Sequence, residues 1–352
     1  MSEPNHITRN NHYVPRFYLR LWSGNGNTIQ VFNGVIKNAA MRGWRNRSIR
    51  GTACWSNFYT DTVDGQDDDK FERLLHDYED ATKRVIDKLN GPIVLDESDI
   101  STLVQFAIVQ AVRTPSFMSF SQELIERTLQ PALGEVVKTL EKELDDGSIF
   151  ERGVALTKNV RPGIRSMLMN IEVDSQIPAV KAETCAGRHN YIAIALRIIE
   201  GKVGKLLKSC NWMLLKSPKM LLTSDNPVTF LHIHGGGKWS VGLAEGLINY
   251  PTLAYMPVTP HYVLFTRIGC SRQEMESVVL GEDLYRVIQK GTVFNARRYV
   301  YGRTQEPCVG AWRPQIVNPD AYDLLDEERI NWHQSNAGLE EGFSYLPGFD
   351  AL

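Results

Sequence analysis

The sequence predicts an α+β fold, a central helical region packed with a largely antiparallel β-sheet built from N-terminal and C-terminal strands. Three observations carry this. Short apolar runs bounded by turn residues fill 10–62, helical periodicity dominates 68–208, and short β-rich runs return over 210–303, leaving a tail at 304–352. No Ser/Gly/Pro-rich linker separates these regions, so the 352 residues read as a single domain.

In chain order, IQVFNG (Ile29–Gly34) alternates apolar and polar residues and ends in Asn-Gly, which is hairpin-turn chemistry. NFYTD (Asn57–Asp61) reads as a further short strand. The acidic stretch DTVDGQDDDK reads as a solvated connector that lends negative charge to the start of the next helix. From Lys70 to Leu89, residues Phe71, Leu74, Leu75, Tyr78, Val85, Ile86 and Leu89 share one helical face, and Asn90-Gly91-Pro92 stops the helix. Ser98 or Ser101 is the expected cap of the next helix. Its LVQFAIVQAV run is apolar nearly all round and therefore central, and Arg113-Thr114-Pro115 ends it. Helical patterns follow over 121–144, with Pro131 inside, and over 179–207; RPGIRS between them has no defined pattern. Beyond Cys210, WMLLK, KMLLTSDNPVTFL, KWSVGL, LAYMPVTP, HYVLFTRI and RRYVYG read as strands, interrupted by a helix over 282–290.

A hydrophobic content of 43%, a charged content of 23% and a net charge of -2 describe a globular chain with no global attraction to nucleic acid. Arg42, Arg45, Arg47 and Arg50, with Trp44 among them, read as a solvated loop with one anchoring aromatic in preference to a local basic patch whose Trp44 stacks on a base. The cysteines Cys54, Cys185, Cys210, Cys270 and Cys308 form no CxxC pair and read as reduced, mostly buried thiols. There is no apolar run of membrane-spanning length and no secretory h-region, so a cytoplasmic protein with no membrane association is expected.

Several patterns bear chemistry. Glu72, His76, Glu79 and Lys83, spaced four, three and four apart, fall along one helical stripe. Two carboxylates and an imidazole there suit a divalent metal or a proton transfer, or else a salt-linked boundary between core and water. Gln110 and Arg113 lie on a helix that is to be buried, so Arg113 needs an acidic partner, with Glu72, Glu79 and Asp225 as candidates. In LLTSDNPV, Asp225 leaves a strand end as either a catalytic carboxylate or a turn-capping acceptor. LHIHGGGK, with His232 and His234, departs from the phosphate-loop spacing and reads as an exposed hairpin loop. No G-x-S-x-G, H-E-x-x-H, G-x-G-x-x-G or cysteine zinc framework supports serine or zinc proteolysis or hydride transfer.

Taken in order, HYVPRFYLRLWS, NFYT, FERLLHDYEDATKRVID, QAVRTP, WMLLKS with LLTSDNPV, YMPVTP and NARRYVYG resemble the bacterial domain-of-unknown-function family 4238, from His12 to about Gly302. The matching motif positions are His12 and Pro15, Asn57 and Tyr59, Glu72 and Glu79, Gln110 and Arg113, Asp225 and Asn226, Pro257 and Arg298; Met256-Pro257-Val258 departs from an expected Pro-Leu pair. The resemblance implies that the polar members meet in space, and that Pro15, Phe17, Tyr18 and Leu19 pack as core while His12 faces the polar cluster. The candidate site is therefore His12, Glu72, Glu79, Gln110, Arg113, Asp225 and Asn226.

The expected function is hydrolysis of phosphodiester bonds in a nucleic acid or nucleotide, with bacterial defence against phage as the setting. His12 would act as base or metal ligand, Glu72, Glu79 and Asp225 would hold a divalent metal, magnesium or manganese, or the attacking water, and Arg113 would stabilise phosphate charge. The alternative is a non-enzymatic sensor or partner-binding protein whose polar cluster is a buried network, with the polar segment after Asp326 docking a partner protein.

Overall fold

The computed structural model describes residues 10–329, apart from 64–65, 90, 92–94, 146–168, 175–178, 185–187, 244–245 and 328. RPGIRS, Cys185 and the tail beyond 329 lie outside the described residues.

The chain opens with β1 (Asn10–His12) and α1 (Arg16–Leu21), followed by β2 (Thr28–Asn33), β3 (Val35–Ile36), β4 (Trp44–Ser48), β5 (Cys54–Ser56), β6 (Asp61–Val63) and β7 (Gln66–Asp68). The helical middle contains α2 (Lys70–Lys88), α3 (Glu97–Val112) and α4 (Pro115–Asp145). It continues through a hairpin of β8 (Met169–Asp174) and β9 (Ala179–Thr184) into α5 (Arg188–Glu200) and α6 (Lys202–Ser209). The last part holds β10 (Met213–Lys216), β11 (Thr223–Ser224), β12 (Thr229–Ile233), β13 (Trp239–Val241), β14 (Thr252–Thr259), β15 (Tyr262–Arg267), α7 (Arg272–Glu276), α8 (Glu282–Asn295), β16 (Tyr299–Gly302), α9 (Cys308–Trp312) and β17 (Ile316–Val317).

The fold is α+β with two main sheets where one was expected. A five-stranded antiparallel sheet, ordered β10-β15-β14-β12-β13, uses C-terminal strands alone. A four-stranded sheet, β11-β16-β2-β4, joins the two ends of the chain, with Val300 opposite Phe32 and Thr28 opposite Ser48. The arginine-rich segment forms the edge strand β4 of this sheet instead of a loop, and Trp44 packs against Phe32 at 5.6 Å. A lysine- or arginine-bearing edge is a common defence against further strand pairing.

Local chemistry explains the other departures. NFYTD is a turn: Asn57 sits in the left-handed region at φ 52°, which asparagine tolerates better than most residues, and β5 ends before it. The acidic stretch contributes β6 and β7, antiparallel across residues 64–65. The cap of α3 is Asp96, in a reciprocal capping box with Asp99, so the two serines are bypassed. Over 179–207 a strand and two helices replace one helix. The break falls at Gly201, and a Cβ added at nearby Gly204 would lie 2.2 Å from the Ile199 carbonyl.

α3 runs through the core as its all-apolar pattern requires, with Leu103, Val104, Phe106, Ile108, Val109 and Val112 buried. Thr114 and Pro115 break it and start α4, where Thr114 Oγ1 accepts from the Phe117 amide at 3.3 Å. The opening motif is mostly a core element. Tyr18 donates to the Pro257 carbonyl at 2.6 Å, and the Trp22 indole donates to the Leu221 carbonyl at 2.8 Å, so α1 ties the N-terminus to the C-terminal strands. Pro15, Tyr18 and Leu19 are buried, and Phe17 is half-buried against Phe106 at 5.8 Å. Among the described residues no helix is long and apolar enough to cross a membrane.

Candidate functional site

The pairing of β1 with β5, His12 opposite Cys54 and Asn11 opposite Trp55, holds the opening motif against α2 and α3. Alternation along β1 sends Asn11 inward, where its amide donates to Glu72 Oε2 at 2.6 Å. Arg113, at the C-terminal end of α3, is 3% exposed and is claimed on three sides. Nη1 donates to Glu79 Oε1 at 2.6 Å, Nη2 to the His12 carbonyl at 2.6 Å, and Nε weakly to Tyr59 Oη at 3.5 Å. The Tyr59 hydroxyl in turn donates to the Arg113 carbonyl at 2.6 Å. One α-helical turn earlier, Gln110 Nε2 donates to the Tyr13 carbonyl at 2.8 Å. Of the three acids open to Arg113 from sequence, Glu79 is the partner.

This network forms one wall of a cavity of about 430 Å³ between β1, α1 and α2. His12, Glu72, His76, Glu79 and Arg113 line it, with Arg16, Arg50 and Lys83 as further cations. Nε2 of His12 is buried and has no hydrogen-bond partner. Burial, then Arg16, and to a smaller degree Arg113, push the His12 pKa down; carbonyls of Arg50 and Ile49 oppose them without prevailing. His76, exposed one turn along α2 from Glu72, behaves in the opposite way. Its Nε2 lies 3.8 Å from Glu72 Oε1, and that carboxylate, aided by Glu79, raises its pKa against partial burial. One cavity thus holds an imidazole biased toward neutrality and another biased toward the charged form.

Gln110, held on the Tyr13 carbonyl, does not line this cavity, and neither do Asp225 and Asn226. The Asp225 carboxylate is buried, accepting backbone N–H groups of Arg297 at 2.9 Å, Arg298 at 2.7 Å and Tyr299 at 2.9 Å. Burial raises its pKa while those three donors pull it back. Of its two sequence readings, the acceptor role describes the geometry, though its donors come from residues 297–299, leading into β16, instead of from its own turn. Asn226 accepts from Thr114 Oγ1 at 3.3 Å and exchanges hydrogen bonds with Asn295, donating to its carbonyl at 3.1 Å and accepting at 2.8 Å, which clasps the α3–α4 junction to α8. The expected metal ligands Glu72, Glu79 and Asp225 are therefore not assembled: the two glutamates are engaged by Asn11 and Arg113, and Asp225 faces elsewhere. Among the described residues no group of three or more His, Cys, Asp or Glu side chains is set to hold a metal ion.

Elsewhere, the HIHGGGK segment forms the β12–β13 hairpin, with His232 buried between Thr252 Oγ1 at 2.9 Å and the Gly242 carbonyl at 2.7 Å. Asn11, which holds Glu72 behind the cavity wall, and Arg16, which lines the cavity, did not stand out in the sequence; Arg50, noted there only within the arginine-rich run, lines it too. The alternation of β1 could have flagged Asn11, whereas Arg50 reaches the cavity only through the tertiary course of the chain.

Comparison with the curated proteins and with the solved structures gave no match. A family model described as a protein of unknown function, DUF4238, matches residues 10–306, which take in β1 through β16 and every candidate residue. The chain belongs to that family.

Proposed function

We propose that the chain hydrolyses phosphodiester bonds of a nucleic acid or nucleotide in the cavity between β1 and α2. The observation that carries this reading is the unpartnered Nε2 of His12, buried in a cavity that also holds His76 and the guanidinium groups of Arg16 and Arg50. In the proposed step, His12 Nε2 takes a proton from the attacking water as the oxygen–phosphorus bond forms. The phosphorus–oxygen bond to the leaving group breaks, and His76 gives its proton to the departing oxygen. Arg16 and Arg50 offset charge on the non-bridging oxygens. A lowered and a raised imidazole pKa suit the base and the acid respectively.

The test is cleavage of single-stranded RNA, single-stranded DNA and a chromogenic phosphodiester, each in EDTA and with magnesium or manganese. General acid–base catalysis contributes about 10²–10⁴-fold, so His12→Ala should lose that much rate with its melting temperature unchanged. No cleavage of any substrate under any of these conditions, or wild-type rates in both His12→Ala and His76→Ala, would refute the reading.

A sensor or partner-binding role has its own support in the saturated contacts of Arg113, which suit a rigid recognition frame as well as a reaction site. It predicts ligand binding in the same cavity without turnover.

A further inference from the structure

A second cavity, of about 160 Å³, also borders the β1–β5 pair but shares no lining residue with the first. Four guanidinium groups line it, Arg47 from β4, Arg297 and Arg298 before β16, and the helical Arg329 that follows helical residues 319–327, against two carboxylates, Asp225 and Asp326. Both acids are already engaged. Asp225 accepts its three backbone N–H groups, and Asp326 lies 3.4 Å from Arg298 Nη1 and 4.0 Å from Arg329 Nε. Among the residues that line it, guanidinium groups outnumber carboxylates four to two.

Arg298 makes the case specific. It is 6% exposed, and its guanidinium is fixed by Nε donation to Asn33 Oδ1 at 3.2 Å and by the rings of Tyr322, 4.3 Å from its centre, and Tyr299, 5.1 Å away. Yet its Nη2 is buried with no hydrogen-bond partner. A buried charged donor left unsatisfied is costly, and in native proteins such a group usually marks a missing acceptor. A rigid guanidinium fork suits the tetrahedral oxygens of a phosphoryl group. The volume is below the roughly 300–1,000 Å³ of drug-sized sites, so it admits a phosphoryl group with little more than a small remainder inside.

We propose that this cavity binds the phosphoryl group of a small ligand, either free phosphate or a nucleoside 5′-monophosphate. Part of its wall, Tyr322, Asp326 and Arg329, comes from beyond the family-matched residues, so the site is completed by a segment outside that shared region. The site does not depend on the reaction proposed for the histidine cavity.

The test is calorimetric titration of the full chain with inorganic phosphate and, separately, with adenosine 5′-monophosphate, for wild type, the Arg47→Ala/Arg329→Ala double variant and His12→Ala. Both replaced arginines reach solvent, so folding should survive and is checked by circular dichroism. Binding of at least one probe should be weakened roughly tenfold to hundredfold in the double variant and unchanged in His12→Ala. Phosphate binding as tightly as the nucleotide identifies free phosphate as the source, and binding of the nucleotide alone identifies the nucleotide. Absence of binding by both probes overturns the proposal, as does binding that survives the double variant and disappears in His12→Ala.

Discussion

Replacing Arg113 by alanine removes a charge that joins three separate parts of the chain: Glu79 on α2, the His12 carbonyl at the end of β1, and the Tyr59 hydroxyl after β5. The side chain of Arg113 is 4% exposed and that of Glu79 17%, so this pair is mostly out of water and Glu79 would be left behind as a poorly solvated carboxylate. Breaking a buried pair from one side costs about 3–5 kcal/mol. An unfolding entropy of about 2.1 cal/mol/K per residue, taken over 352 residues, comes to about 0.7 kcal/mol/K, so a loss of about 4 kcal/mol lowers the Tm by about 5–6 °C. Thermal melting and urea unfolding should be followed for Arg113→Ala, Glu79→Gln and the double variant. Coupled neighbours interact by roughly 0.5–3 kcal/mol, so Arg113→Ala should cost less in the Glu79→Gln background by an amount in that range. A melting temperature within about 1 °C of wild type, or strict additivity of the two changes, would show that the 2.6 Å contact does not act as a buried pair.

The proposed acid–base pair fixes the sign of a pH profile. His12 must be neutral, which its lowered pKa allows from below the ordinary value upward, and His76 must be protonated, which its raised pKa allows until above that value. The rate should therefore be bell-shaped with a plateau spanning about pH 6.5, and a monotonic profile would separate the two histidines from the chemistry. Glu72→Gln keeps an acceptor for Asn11 but removes the charge that raises His76, so the alkaline limb should move to lower pH while the acid limb stays; an unmoved alkaline limb would dissociate His76 from it. Asp225→Ala strands three backbone N–H groups and should destabilise the chain by several times the roughly 1 kcal/mol of one ordinary hydrogen bond, while the folded fraction cleaves at the wild-type rate. A stable but inactive Asp225→Ala would return that carboxylate to the reaction.

What was legible in the sequence was local. The stripe Glu72, His76, Glu79 follows from helix spacing alone, and the need of Arg113 for an acid follows from the apolar run of α3. Which acid it would be did not follow, because Glu72, Glu79 and Asp225 are equivalent until the β1–β5 pair fixes where α2 passes α3. Asn57 defeated the strand reading through its backbone angle, which FYT on its C-terminal side disguised as β propensity. Asp225 was ambiguous for a different reason. Its donors come from residues 297–299, more than seventy positions away, so no turn motif could announce them.

The same distance dependence explains why the family positions divide. His12, Glu72, Glu79 and Arg113 meet around one cavity, while Asp225 and Arg298 meet around another, and residues 10–13 and 50–55 contribute to both. Within that short span His12 faces the larger cavity, Tyr13 faces the smaller, and Arg50 and Gly51 part in the same way. The His12 carbonyl is held by Arg113 and the Tyr13 amide by the Ala53 carbonyl at 3.0 Å, so the shared partition is pinned on each side by a hydrogen bond. Occupancy of the smaller cavity would act on Tyr13 and Ala53, one residue from His12 and from its strand partner Cys54. If a phosphoryl group there alters the cleavage rate, the effect must pass through this partition. Loosening it with Arg113→Lys, which replaces the fork by a single ammonium, should uncouple the two before either ceases to bind. Equal coupling in Arg113→Lys and wild type would mean that the two cavities are neighbours in space and independent in energy.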